Sequence, residues 1–496
     1  MLILRRIIFI LFSLAYLICC PLIILYALGI NLNPHGTQNI TKTGIIPLAT
    51  QPSEATVYLD HLRYPQKTPT VIRNLVPGEY SLKLVLKGYQ TWEKIVPVKA
   101  ETATVLENIL LIPQTWPTPI LSYLSFEDII PIQDNSFFLL KRGPLVGDFF
   151  IFRISEKFSE QILPALESRD NKGIPLASLF PADTIYNQAK VLSLFTMPES
   201  TSALFQVGLK GAEKFLWIDL KPKPVIIDDI TDLMIKKPKK LFWDRRDNKN
   251  IFVYQDDALS RLETATKAIY PHIAEHIRGL GLYNQKLYIL SPDHVLRKLG
   301  YDGKDQEFIL PDRSLILSHF GESAKYQIQV FPDNLILFLG EHGELLTNRV
   351  PFHLIDKDIK GFEFDEASQR LLVWTDHNLG VIDFSLNNQK QDLKPTPKVI
   401  WLLNGAKEIQ QAFWVNRASY FVLRDQDKIV LGETEKFNAP VAQELFKVKK
   451  NSSVVYSEIT GKLYYLDPQN HNLYAQTIVP VQDLFSFTNR KEKEFE

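Results

Sequence analysis

At 496 residues the chain exceeds one ordinary hydrophobic core, so two or more domains are expected. Its 56 basic and 56 acidic residues cancel, which argues against a nucleic-acid partner, and 11% aromatic with 23% charged residues describes a globular chain, not a disordered one. Both cysteines, Cys19 and Cys20, stand in the N-terminal apolar run, so the remainder offers no disulfide and no thiolate metal site.

Residues 7–30 are 24 positions without a charge, enough to cross a hydrocarbon layer of ~30 Å as a helix. Arg5 and Arg6 precede them and no Lys or Arg follows until Lys42, a charge bias that leaves residues 1–6 in the cytoplasm. The expectation is a single-pass anchor in the cytoplasmic membrane with the bulk of the chain extracytoplasmic. The alternatives are a signal peptide cleaved near Ala27-Leu28-Gly29, or lipid attachment at the cysteine pair. Residues 31–44, polar with Asn, Thr, Pro and Gly, read as a linker.

From 45 to 113 the pattern changes to short alternating strands, expected at 55–59, 70–75, 80–86, 91–98 and 104–112. Breaks fall at Pro69, Pro77-Gly78 and Gly88, where Pro presets φ and Gly accepts positive φ. This suits a small β-sandwich. Tyr89 and Trp92 are the candidate ligand-binding residues here, as an aromatic platform for sugar rings; as ordinary core residues they would pack inward instead.

Several motifs in this stretch occur in a telling order: Pro52-Ser53-Glu54-Ala55, Val57-Tyr58-Leu59-Asp60, Lys67-Thr68-Pro69, Leu75-Val76-Pro77-Gly78-Glu79-Tyr80 and Lys87-Gly88-Tyr89. Together they make residues 46–112 resemble the PEGA domain, a small β-sandwich module of bacterial and archaeal envelope proteins. The sequence departs from that pattern in reading PSEA for PEGA, and in carrying His61 where a Gly usually follows the strand-ending Asp. The resemblance implies an extracytoplasmic accessory role without catalysis.

Residues 114–119, with Trp116, Pro117 and Pro119, read as a stiff connector. From 120 to 480 one cadence recurs: an apolar run, about four polar turn residues, and a second apolar run. The first runs begin at Phe252, Leu287, Ile336, Leu371, Tyr420 and Leu463, at intervals of 35 to 49 residues, and the second near Leu259, Leu296, Leu345, Leu379, Ile429 and Leu473. Less regular units at 136–154 and 202–220 precede them. Such a period with three or four strands per unit marks a β-propeller, here of seven or eight blades, with a stacked set of meanders as the alternative. The fold class expected is therefore all-β: a transmembrane helix, a PEGA-type sandwich and a propeller, ending in a charged tail at 481–496.

Chemistry-bearing strings are few. His272-Ile273-Ala274-Glu275-His276 has the H-x-x-E-H spacing that sets two zinc ligands and a general base on one helix, with Glu341 or Glu344 available as a third ligand; otherwise it reads as a solvated connector helix. Asp228-Asp229, Asp232 and Asp256-Asp257 are candidate calcium or acid–base groups, though they lack the Gly-punctuated spacing of a calcium loop. Residues 236–246 carry six basic side chains around two aromatics, a pattern that suits a polyanion or an acidic membrane surface. No phosphate-binding glycine loop and no G-x-S-x-G occurs.

The expectation is thus a non-enzymatic binding or scaffold protein of a prokaryotic envelope, with no cofactor and no dedicated metal. Its partners would be the membrane, through the N-terminal helix, and an envelope protein or cell-wall glycan, through the propeller loops. The alternative is a propeller hydrolase or lyase acting on the envelope.

Overall fold

The computed structural model describes residues 9, 11–20, 30–32, 40–116, 120–132, 137–154, 174–180, 185–196, 200–220, 225–234, 238, 240–244, 247–255, 257–304, 306–309, 325–349, 353–385, 398–434 and 442–480. Among these residues no helix is long and apolar enough to cross a membrane. Residues 11–20 are α-helical, and Leu11, Phe12, Tyr16 and Leu17 on that helix are all exposed. Most of the rest of the apolar run, the end of the connector at 117–119 and the tail at 481–496 lie outside the described residues. Across the start of the expected linker at 31–44, Ile30–Leu32 pairs antiparallel with Ile40–Lys42.

The chain folds as two compact units. In the first, two sheets face each other. One runs Thr70–Leu75, Gly44–Gln51, Leu106–Leu110, with the last pair parallel; the other runs Leu62–Lys67, Thr56–Leu59, Gly78–Val85, Trp92–Val98, all antiparallel. Period-2 alternation decides which side chains meet. Val96 and Val98 point into a core with Ile46, Val57, Leu82 and Leu84, while Glu93, Ile95 and Pro97 on the same strand point out. Two strands were not legible, Gly44–Gln51 and Leu62–Lys67, and each carries a proline, which in a sequence counts against a strand. Gly88 makes its turn at φ +85°, whereas Gly78 needs no positive φ and opens a strand paired with Val98.

The second unit is a ring of four-stranded antiparallel sheets. Seven follow in sequence over residues 128–175, 190–229, 240–275, 279–308, 326–356, 361–404 and 409–447, here blades 1 to 7. Blade 8 combines Val455–Ser457, Lys462–Leu466 and Asn472–Thr477 with the first strand of the unit, Ile120–Ser125, which supplies its outer edge. Closure of the last sheet by the first strand removes the open ends that a linear stack of meanders would leave, and this makes the unit a β-propeller.

Each neighbouring pair of blades is joined. Aromatic contacts link blades 1 and 2 (Phe149–Phe205), 2 and 3 (Trp217–Trp243), 3 and 4 (Phe252–Tyr301) and 5 and 6 (Phe331–Phe364) at centroid distances of 4.6–5.4 Å. Phe446–Tyr465 and Phe138–Tyr464 do the same on either side of blade 8. Such pairs add ~0.5–1.5 kcal/mol each beyond the area they bury. Blades 4 and 5 pair in parallel through Gly279–Tyr326 and Leu280–Gln327. Between blades 6 and 7, Trp414 Nε1 donates to the Glu363 carbonyl at 3.0 Å.

The connectivity fixes which loops share a face. In an up-and-down blade, the turn between strands two and three lies at the same end as the link from strand four to the next blade. All such segments therefore form one loop face of the ring.

Candidate functional site

On that loop face, at blades 5 and 6, opens a cleft of about 1140 Å³. Its walls are residues 340–343, the second turn of blade 5; 356–360, the link to blade 6; and 375–378, the second turn of blade 6. Lys325 and Lys240, at the starts of the first strands of blades 5 and 3, complete it.

Backbone hydrogen bonds lock these segments together. Gly340 N donates to Glu344 O at 2.8 Å and Gly343 N to Gly340 O at 2.9 Å, while Ile359 N reaches across to Gly343 O at 2.9 Å. Gly343 sits at φ +88°, and a Cβ there would stand 2.8 Å from the Asp358 Cα, so glycine is what lets the link approach the turn. Thr375 Oγ1 accepts from His377 N at 3.2 Å and Asn378 N at 2.9 Å, closing the blade 6 turn. Lys360 Nζ lies 3.4 Å from Asp376 Oδ2, and His377 Nδ1 lies 3.1 Å from Ala406 O. The cleft is thus a rigid, charge-lined hollow made of chain segments far apart in sequence.

The H-x-x-E-H string does not form the expected helix, in either the zinc or the connector reading. Ala268–Glu275 is the outer strand of blade 3, bulged opposite Leu259–Arg261, with Pro271 in the bulge. Prolines are tolerated at such edge positions because no ladder hydrogen bond is lost. A four-residue spacing along a strand separates two side chains by roughly 13 Å, beyond the reach of one metal ion. Each imidazole is engaged elsewhere: His272 Nδ1 is 2.8 Å from Glu275 Oε1, and His276 Nδ1 is 2.7 Å from Asp257 Oδ2. Glu341 lines the cleft and Glu344 is buried in blade 5. Among the described residues no three His, Cys, Asp or Glu side chains gather as a metal site requires. His272 borders a hollow of about 250 Å³ walled by Leu233, Met234, Val253 and Leu262.

Of the candidate carboxylates, Asp228 and Asp229 end the outer strand of blade 2 and Asp232 stands in the short helical turn that follows, while Asp257 lies in the second turn of blade 3. Burial opposes ionisation of Asp229, but Lys214 Nζ at 2.6 Å, both donors of Thr231 and the Tyr186 hydroxyl hold its carboxyl down at about 2. Asp257 accepts from the Tyr254 hydroxyl at 2.8 Å; burial, then this carboxylate, push the phenol up to about 12. Asp256 lies outside the described residues, as do Lys236, Lys237, Lys239, Arg245 and Arg246 of the basic run; Lys240–Asp244 is the first strand of blade 3. One group escaped the sequence reading: Glu363, on the first strand of blade 6, accepts from Trp414 N at 2.9 Å. Burial, with Glu458 and Asp365 nearby, pushes its carboxyl up to about 8.

In the sandwich, the motif residues hold the loops in place. Thr68 Oγ1 accepts from Ala55 N at 3.0 Å and stands 2.6 Å from Thr50 Oγ1, and Thr68 O accepts from Glu54 N at 2.8 Å. Glu54, in the glycine position of the P-x-G-A pattern, has φ 72°; Asp60 and His61, a two-residue hairpin turn, have φ 47° and 69°. Residues 43–110 match the PEGA domain. Both departures of this PEGA domain from the family's glycines thus fall on left-handed backbone that a glycine would adopt freely. Its Tyr89 and Trp92 are half-buried and pack against the PEGA core, with Lys94 Nζ 5.7 Å from the Trp92 ring.

No curated protein matches the chain in sequence. Among solved structures it is similar to Kluyveromyces lactis Hsv2p, at 11% identity and TM-score 0.39, covering 64% of this chain and 98% of that one. It is also similar to the β-propeller domain of Myceliophteria thermophila Cps50 (Swd1), at 10% identity and TM-score 0.33, covering 58% and 99%. Kuenenia stuttgartiensis hydrazine synthase follows at 8% identity and TM-score 0.34, covering 56% and 93%. At these scores the propeller assignment rests on the sheet topology alone.

Of the cleft residues, the sequence singled out Glu341, as a third zinc ligand, and Lys240, within the basic run, but not the cleft itself, because its walls stand in turns tens of residues apart. One signal was present: an acid–His pair recurs at the second turn of consecutive blades, Asp293-His294, Glu341-His342 and Asp376-His377.

Proposed function

We propose that this is a non-catalytic binding or scaffold protein of a prokaryotic envelope that holds a partner on the loop face of its propeller. The observation that carries this reading is the rigid cleft of blades 5 and 6: a preformed concave site on loops, supported by a core that plays no chemical part. The PEGA match supports an accessory, extracytoplasmic setting. Membrane attachment is supported by the uncharged run at 7–30 behind Arg5 and Arg6, and by a helix at 11–20 whose apolar side chains have no protein to cover them among the described residues.

The hydrolase or lyase alternative calls for convergent acids or a metal at one mouth of the ring. Its sharpest candidates, His272 on the outer strand of blade 3 and His276 just past its end, have carboxylate partners of their own.

The full chain, tagged at its C-terminus and captured from detergent-solubilised envelope, tests the reading alongside retention on purified cell-wall glycan. Stoichiometric capture of a defined envelope component by either route supports it. Full activity of a reporter fused after Pro480 only in the cytoplasm would overturn it.

A further inference from the structure

The cleft carries charges of both signs, with Lys360 and Asp376 set against each other at 3.4 Å. Four lysines line it, Lys240, Lys325, Lys357 and Lys360, and so do four carboxylates, Glu341, Asp356, Asp358 and Asp376. A polyanion laid here meets the carboxylates, a polycation meets the lysines, and an apolar segment desolvates both, each at a cost. A chain carrying both signs avoids the like-charge contacts and can set opposite charges against those it desolvates.

The same hollow contains a repeat. Glu341-His342 and Asp376-His377 occupy equivalent turns of adjacent blades, so a carboxylate and an imidazole recur in the lining one blade apart. Two matching positions side by side suit a ligand that is itself a chain. The aromatic surface on which a sugar ring would stack is small: of the Tyr and Trp rings in the lining, Tyr326 is 5% exposed and Trp401 is half-buried. Because backbone bonds already fix both turns and the link between them, little ordering is required of the protein on binding.

We propose that the cleft takes an extended polypeptide segment of mixed charge, laid across the loop ends of blades 5 and 6. This rests on the binding reading above and specifies the partner's chemistry. The occupant is a protein segment with acidic and basic residues within a few positions of each other, not a glycan.

The test is selection of a random twelve-residue phage-displayed library on the full chain in detergent micelles, with a neutral-oligosaccharide array probed in parallel. Enriched peptides are expected to carry both Lys/Arg and Asp/Glu, and to bind the Lys357→Glu and Lys325→Glu variants at least tenfold more weakly. Reversing one acidic residue of the selected peptide to Lys should restore binding to one variant and not to the other. Circular dichroism confirms that the exposed-lysine variants fold. Enrichment of single-sign or apolar peptides, no enrichment, or affinity indifferent to both variants would overturn the proposal. Oligosaccharide binding lost in Lys357→Glu would overturn it too, yet leave the binding reading intact; envelope capture that fails as well sinks both.

Discussion

Lys449 Nζ, in the link from blade 7 to blade 8, donates to the backbone carbonyls of Phe126 at 2.9 Å and Glu127 at 3.0 Å, in the link from blade 8 to blade 1. A single side chain near the end of the ring thereby holds its beginning, and Ser453 N adds a bond to Asp128 Oδ1 at 3.0 Å. These bonds sit beside the closing pair Ile120–Ser125 and Asn472–Thr477. Propeller closure is where loop entropy is greatest, so the clasp acts where it matters most.

Lys449→Ala should therefore destabilise the propeller by about 1.5–3 kcal/mol, the range for hydrogen bonds from a charged donor. Hydrogen exchange of residues 120–125 should accelerate ahead of the other outer strands. Uniform acceleration throughout the ring would show that Lys449 has no special part in closure.

Glu363 makes stability pH-dependent in an unusual direction. Its carboxyl is raised to about 8 from an ordinary 4.5, so the folded state holds a proton that the unfolded chain releases earlier. Between those values the unfolded chain binds fewer protons, and the contribution of this group to stability falls as pH rises. Glu363→Gln can still accept from Trp414 N, and should flatten this part of the curve, with a gain on the order of 1–3 kcal/mol at pH 8.5 and almost none at pH 4. Denaturant titrations of both proteins across pH decide it; parallel curves would contradict the assignment.

Asp229 has the opposite sign. Its carboxyl is held down at about 2, so it stabilises the fold above the ordinary carboxylate value of 3.8, and that contribution is lost as pH falls through 2. Asp229→Asn should cost roughly 1–2 kcal/mol at pH 7, discounted for partial exposure, and little at pH 2. Equal costs at both pH values would point to packing instead of charge.

His61→Gly converts the Asp60-His61 turn into an Asp-Gly pair suited to its left-handed backbone. About 1 kcal/mol of added sandwich stability is expected, since an L side chain there carries a steric cost that glycine lacks. A lowered melting temperature for the variant would mean that the imidazole contributes more than its backbone costs.

What could be read in the sequence was whatever repeats locally. Leu287, Leu371 and Leu463 announce buried second strands because an apolar run and a four-residue polar turn are both short-range signals. The pairing of Ile120 with Tyr474 carries no such signal, so the closing strand was invisible as a closure. The string at 272–276 misled because spacing by four has meaning only once a helix is known, and Pro271 was a better guide to a bulged edge strand. The cleft required turns to be compared across blades: Glu341-His342 and Asp376-His377 are unremarkable dipeptides until the repeat superimposes them.

Site-specific photo-crosslinking in envelope-bearing cells tests the central claim most directly. A photoreactive residue replaces Lys325 or Lys357 on the loop face, or Glu366 in a first turn at the other end of the ring. The account predicts a discrete adduct from both loop-face positions and none from Glu366. An adduct from Glu366 alone, or from none of the three, would contradict it.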